Sequence, residues 1–235
     1  MKNFSIKKIL ILVTILAVPG FLYYLLQEKG KNRYRPLAIY GPKVVAKTFH
    51  SVRGEQIPDT IYHEVPDFGL INQNDESISW ENYKGKIILL NLFHTNGGSN
   101  TIDFSSKAME EFNQLYHKNT MLHLISLSVN PEHDSVSVLL NYAAQLNATP
   151  GKWDLLTGNR GEMYDLIKKG LFLDAVEIKQ DNETKFEYSK LFVLLDSQHR
   201  IRGYYDSTHK EALSKLDDEI KVLIAEEVRN SKDGR

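Results

Sequence analysis

The chain of 235 residues contains no cysteine. That absence excludes disulfides, thiolate nucleophiles, iron–sulfur clusters and sulfur-ligated zinc. Lipid attachment through cysteine is excluded as well. Excess charge is also missing. Lys plus Arg number 29 and Asp plus Glu 30, a formal net charge of −1. A protein that neutralises phosphates carries a strong basic surplus, so nucleic acid is not an expected partner. Internal repeats and low-complexity stretches are absent. What remains is 42% apolar and 25% charged residues, the composition of a globular protein.

Long apolar runs are scarce, with one exception. Residues 9–26 (ILILVTILAVPGFLYYLL) carry no charge. As a helix they span about 27 Å, close to the hydrocarbon thickness of a bilayer. Tyr23 and Tyr24 sit where an interfacial aromatic belt belongs. A cleaved signal peptide is the rival, but Ala17-Val18-Pro19 is a poor small-residue cleavage site. The expectation is a single-pass signal-anchor over 1–27 in the inner (cytoplasmic) membrane, with the body exported to the periplasmic or outer side. Lysines and arginines flank both ends of the span, so the positive-inside count is close to a tie. Without the first 27 residues the balance is 26 basic against 30 acidic groups, or −4.

Residues 28–64 contain Pro36, Gly41-Pro42 and Pro58 and no sustained period; they read as a tether and extended arm. Ile87–Phe93 and Met121–Val129 are short apolar runs that suit strands buried on both faces. Apolar stripes at helical spacing predict helices over 101–117, 134–146 and 209–228. Further strands are expected at 76–80, 153–156, 191–195 and 201–205, and a short helix at 162–169. Strand and helix alternate, then a hairpin and a last helix follow. That order predicts an α/β domain over 65–228 with a thioredoxin-like fold, a central mixed sheet flanked by helices. Residues 229–235 read as a frayed tail.

Several segments carry a resemblance. They are Tyr62-His-Glu-Val-Pro-Asp-Phe68, Tyr83-Lys-Gly-Lys86, Ser128-Val-Asn-Pro-Glu-His-Asp134, Gly151-Lys-Trp-Asp-Leu-Leu-Thr-Gly158 and Arg200-Ile-Arg-Gly-Tyr-Tyr-Asp206. In this order and at this spacing, from about Leu37 to Ile224, the chain resembles the Sco/SenC family of membrane-tethered thioredoxin-like proteins. The resemblance implies copper delivery to, or reduction of, the copper centre of cytochrome c oxidase. It also implies respiratory oxidase subunits or other assembly proteins as partners. In that family two cysteines of a Phe-x-Thr-x-Cys-Pro-x-x-Cys-Pro motif and a distant histidine bind copper.

Here the motif reads Phe93-His94-Thr95-Asn96-Gly97-Gly98-Ser99-Asn100-Thr101-Ile102. Gly97 and Thr101 stand at the two cysteine positions, and Tyr188 stands where the family has its histidine. Copper(I) prefers thiolate, thioether or imidazole donors. Glycine supplies no side-chain donor, and Thr and Tyr supply hard, normally protonated oxygens. No resident metal or cofactor is expected, and thiol redox is excluded.

Two local alternatives stay open. His94 could join another donor, such as His123 or Met109, in a rebuilt metal site, or it is a polar strand-end residue. The loop Asn96, Gly97, Gly98, Ser99 and Asn100 could hold an anion at a strand–helix junction. The plainer reading is a relaxed turn, with Asn100 as N-cap and Asp103 as its box-like partner. The expected function is a non-redox binding or assembly factor. A metal carrier using His94 is the alternative, and an enzyme is not expected, since a peroxiredoxin-like activity has no nucleophile here.

Overall fold

The computed structural model describes residues 6–29, 36–52, 54–95, 103–180 and 183–233. They fall into two compact units, residues 1–35 and 36–235. In the first unit α1 (Ile6–Lys29) is a helix of 24 residues, about 36 Å long, with Pro19 inside it. Every side chain from Val13 to Tyr24 is exposed. The side chains at 9, 10 and 12 lie outside the description, and among the described residues no helix is long and apolar enough to cross a membrane. The anchor expected over residues 9–26 is therefore not established by the fold.

The second unit opens with β1 (Lys43–Val52) and β2 (Glu55–Tyr62), an antiparallel hairpin turned at Gly54 with φ +88°. The expectation of an extended arm gives way here to regular structure. Nearly all its described side chains are exposed, so it lacks the alternation that burial imposes on a strand. Then come β3 (Leu70–Asn72), β4 (Ser77–Ile78), a 3-10 turn at Trp80–Tyr83, and β5 (Ile87–Phe93). Helix α2 (Phe104–Leu115), β6 (Leu122–Ser128), α3 (Val136–Gln145), β7 (Trp153–Thr157) and α4 (Arg160–Asp165) follow. A π-helical turn, Leu166–Gly170, leads to the hairpin β8 (Ala175–Gln180) and β9 (Glu183–Tyr188). The chain ends with β10 (Leu191–Leu195), β11 (Ile201–Asp206) and α5 (Lys210–Asp233). Helix α5 continues past the expected end at Val228, through most of the stretch expected to fray. The short strand expected at 76–80 shrinks to β4, because Trp80 enters the 3-10 turn and donates its indole N–H to the Val65 and Pro66 carbonyls.

Seven strands form one sheet in the order β11-β10-β5-β6-β7-β3-β4. The central β5, β6 and β7 run parallel, and the outer strands pair antiparallel. Parallel neighbours need crossovers, which α2 and α3 provide. All seven residues of β5 are buried, because both sheet faces are covered. Ile88, Leu90 and Leu92 enter one core with Ile125, Leu127, Val193 and Ile167. Ile87, Leu89 and Phe93 enter the other, with Met109, Phe112, Leu139, Leu216 and Ile220 from the helices.

One polar side chain interrupts the helix-side core. Asn91 is fully buried. Its amide donates to Ser105 Oγ at 3.0 Å, and its carbonyl accepts from Ser126 Oγ at 2.6 Å. Ser126 Oγ in turn accepts from Trp153 Nε1 at 2.9 Å. A buried amide without such partners would cost several kcal/mol. These bonds tie α2 to the sheet just below the end where the candidate site lies.

Candidate functional site

The carboxyl ends of β5 and β6, the start of α2 and the end of β9 converge at one edge of the sheet. In α/β folds that edge is where ligand crevices form. Phe93 turns into the helix-side core, so the next residue points to the opposite face. There His94 meets the rings of Phe186, centroids 5.5 Å apart, and Tyr188, at 5.6 Å and nearly perpendicular. His94 is half-buried, and its Nδ1 has no hydrogen-bond partner among the described residues. Burial lowers its pKa; the nearby Asp134 carboxylate opposes that shift and Lys190 reinforces it.

Tyr188 donates its hydroxyl to Asp103 Oδ2 at 2.9 Å. Lys190 reaches the same oxygen at 3.2 Å, and its ammonium lies 3.7 Å from the Tyr188 ring centroid. Burial drives the phenol well above its ordinary range, and the Asp103 charge adds to that. Tyr188 is thus a neutral donor. Asp103 also accepts from Ser106 N at 2.9 Å as the N-cap of α2. The cap expected at Asn100 is therefore Asp103 itself, because its carboxylate reaches the third residue on.

A second polar group lies beside the first. Asp134, fully buried, accepts from Thr95 Oγ1 at 2.5 Å, Thr95 N at 3.3 Å and Ser128 Oγ at 2.5 Å. His133 Nδ1 sits 3.1 Å from the same carboxylate. The carboxylate fixes the chain as it leaves β5, as buried charges require.

The structure does not bring the expected companions to His94. His123 is paired with Ile88 in the parallel register, six residues down the strand and roughly 20 Å away. Its Nε2 lies 2.8 Å from Asp154 Oδ2, which also accepts from Tyr83. Met109 is fully buried in the helix-side core, across the sheet from Phe186 and Tyr188. Gly97, Thr101 and the loop Asn96, Gly97, Gly98, Ser99 and Asn100 lie outside the described residues. Among the described residues, no group of three or more His, Asp or Glu side chains could hold a metal ion. Lys190 and Phe186 carry no motif; the sequence shows Asp103 only as a capping partner and Asp134 only as the end of the segment Ser128–Asp134, so sequence reading missed their part in the site. An Asp just before the amphipathic run of α2 was the one available signal, and it points to a cap.

This donor set does not fit copper. The phenol at position 188 is protonated and committed to Asp103. An ammonium sits against its ring. Among the described residues His94 and the half-exposed His133 are the imidazoles near this junction, and soft thiolate donors are absent from the whole sequence.

The fold is that of a thioredoxin-like domain, and at this junction hydrogen-bonded side chains join β9 to the start of α2. Residues 58–224 match the SCO1/SenC family model, and the chain belongs to that family. A SCO1 protein homolog of Bacillus subtilis is 25% identical over 169 residues, covering 72% of this chain and 86% of the relative. Among solved structures, BsSco, described as a member of the Sco family of cytochrome c oxidase assembly proteins, superposes with a TM-score of 0.59 at 23% identity. It matches 68% of this chain and 93% of its own. Bradyrhizobium japonicum ScoI with copper bound gives 0.54 at 20% identity, over 66% and 98%. Likeness at these identities speaks for the fold.

Proposed function

We propose that this chain is an envelope-anchored SCO1/SenC-family assembly factor that binds a partner and performs neither thiol chemistry nor copper(I) transfer. One observation carries the proposal. The family's histidine position holds a tyrosine, hydrogen-bonded to Asp103 and flanked by Lys190, over a fully packed core. Family membership and the oxidase-assembly role named for BsSco supply the context, with oxidase subunits or fellow assembly proteins as candidate partners. Helix α1 supports the anchor. It has 24 residues, exposes apolar side chains all round, and carries no charge over 9–26. A helix apolar on every side needs an apolar surrounding. On this proposal residues 1–27 span the inner membrane, 28–64 lead from it, and 65–228 form the exported binding domain.

The test is metal analysis of the purified full-length chain in detergent, followed by titration with copper(I), copper(II) and zinc. The expected result is no binding tighter than about 10 μM, roughly 7 kcal/mol. In parallel, a strain lacking the chain should show impaired oxidase assembly under copper limitation; unchanged assembly would count against the proposal. His94 Nδ1, without a hydrogen-bond partner among the described residues, favours one second reading, a rebuilt carrier site. That reading requires stoichiometric copper(II) or zinc binding that His94→Ala abolishes.

A further inference from the structure

The β1–β2 hairpin stands apart from the sheet with both faces exposed. A two-stranded ribbon with nothing against it is marginal in water. Its two faces differ in chemistry. The register pairs Lys43 with Tyr62, Val45 with Thr60, Phe49 with Pro58 and Ser51 with Gln56. Cross-strand partners share a face, and this face holds no carboxylate. Val45 is 70% exposed on it and Phe49 59%. The opposite face holds Val44, His50, Glu55, Ile57, Asp59 and Ile61, with His50 bound to Asp59 at 2.7 Å. Both faces expose apolar side chains, with Val44, Ile57 and Ile61 on the second; they differ in charge, since the first carries Lys43 and no carboxylate and the second carries Glu55 and Asp59.

The surrounding sequence has the same sign as the lysine-bearing face. Residues 29–54 contain seven Lys or Arg and no Asp or Glu. The body holds residues 37–40 of this stretch through hydrogen bonds. Buried Arg202 donates to the Leu37 carbonyl at 2.8 Å and the Ala38 carbonyl at 3.3 Å. Tyr40 N donates to Ile201 O at 2.8 Å.

We propose that the Lys43, Val45, Phe49, Pro58 and Tyr62 face of the hairpin seats on an anionic lipid surface. This proposal rests on the anchor proposed for residues 9–26. Apolar side chains enter the headgroup boundary, and the basic stretch draws the face to anionic lipid. The carboxylates of Glu55 and Asp59 keep the opposite face toward water.

The chain has no cysteine, so single-cysteine nitroxide labels carry no background. Val45→Cys, Phe49→Cys, Ile57→Cys, Val176→Cys and Leu16→Cys would each be labelled in the full chain. The chains would be reconstituted in phosphatidylcholine vesicles with or without about one-third phosphatidylglycerol. Collisions with oxygen, which concentrates in lipid, and with a water-soluble nickel chelate give the depth of each label. The expected result is gain of oxygen and loss of nickel collisions at 45 and 49, with 57 and 176 left in water. Lys43→Glu or high salt should weaken that difference. Labels at 45 and 49 as nickel-accessible as that at 176, with 16 in lipid, would overturn the proposal and leave the anchor standing. Loss of both oxygen and nickel collisions at 45 and 49 means a protein covers the face, and also overturns it. Oxygen-rich labels at 45 and 49 with 16 in water would support the face and sink the anchor.

Discussion

Replacing Asp103 tests the junction of β9 with α2 most directly, because three interactions converge on its carboxylate. Asp103→Ala removes the cap on Ser106 N, worth about 1 kcal/mol. It removes the acceptor of the Tyr188 hydroxyl; a half-buried bond to a charged group contributes about 1.5 kcal/mol. The Lys190 pair is exposed on the lysine side and adds roughly 0.5 kcal/mol. The total is about 3 kcal/mol, which for a body of this size lowers Tm by roughly 6–12 °C. Thermal melts of the full chain, followed by near-ultraviolet circular dichroism, would read this. Tyr188→Phe should cost about 1.5 kcal/mol in the native background and almost nothing beside Asp103→Ala, a coupling above about 1 kcal/mol. Asp103→Asn, which keeps an acceptor, should recover most of the cap. A coupling near zero would refute the reasoning, since water would then serve the phenol as well as Asp103 does.

Other substitutions probe the rest of the molecule. Arg202→Met leaves Asp196 fully buried with one of its two arginine partners gone. It should cost about 3 kcal/mol in thermal melts and release residues 36–42 to limited proteolysis. Gly203→Ala should cost about 1–3 kcal/mol, because a Cβ there runs into the Tyr205 ring that hydrogen-bonds Glu219; an unchanged melt would contradict the packing. Burial opposes the charge of Asp154, yet bonds from His123, Tyr83 and Asn72 hold its carboxyl below the ordinary range. Its contribution is therefore present above about pH 4 and fades as pH falls through the lower folded value, and Asp154→Asn should flatten that acid limb in pH-dependent melts. Gly97→Cys, Thr101→Cys and Tyr188→His together should create copper(I) binding measurable by competition with a copper(I) chelator; failure would mean the scaffold around the crevice has also changed.

Burial decided which parts of the fold could be read in advance. The runs Ile87–Phe93 and Met121–Val129 stand out because two packed faces leave little room for polar side chains, and those present, Asn91, His123, Ser126 and Ser128, are all hydrogen-bonded. Helices α2, α3 and α5 show their stripes for the same reason. The hairpins β1–β2 and β8–β9 are mostly solvent-facing, so nothing in their sequences had to alternate, and β8–β9 was not anticipated. It matters most, since it carries Tyr188 and Phe186 to the crevice. The direction of His94 was equally hidden. A strand's last residue can face either side, and here the insertion of Phe93 among Met109 and Phe112 decides it. The pairing of Tyr188 with Asp103, 85 residues apart, has no local signal at all.

The pattern of satisfied polar groups bears on what kind of site this is. Deleting metal ligands from a crevice exposes the polar groups that once surrounded them to an apolar hole, and each group left unpaired costs about 1–3 kcal/mol. Here Tyr188 and Lys190 bond to Asp103, and Thr95 and Ser128 bond to Asp134; His94 Nδ1 is the exception among the described groups of the site. The Tyr188 and Lys190 bonds to Asp103 hold the β9 end against the start of α2. Among the described residues, a partner that docks on this edge meets the Tyr188 phenol, the His94 imidazole, the Asp103 carboxylate and the Lys190 ammonium. Lys190→Glu reverses that charge at a position 43% exposed in its side chain. If the edge is the docking face, this change should abolish partner capture while shifting Tm by no more than the roughly 3 °C expected of an exposed pair. Full capture by the Lys190→Glu chain would move the docking face elsewhere on the molecule.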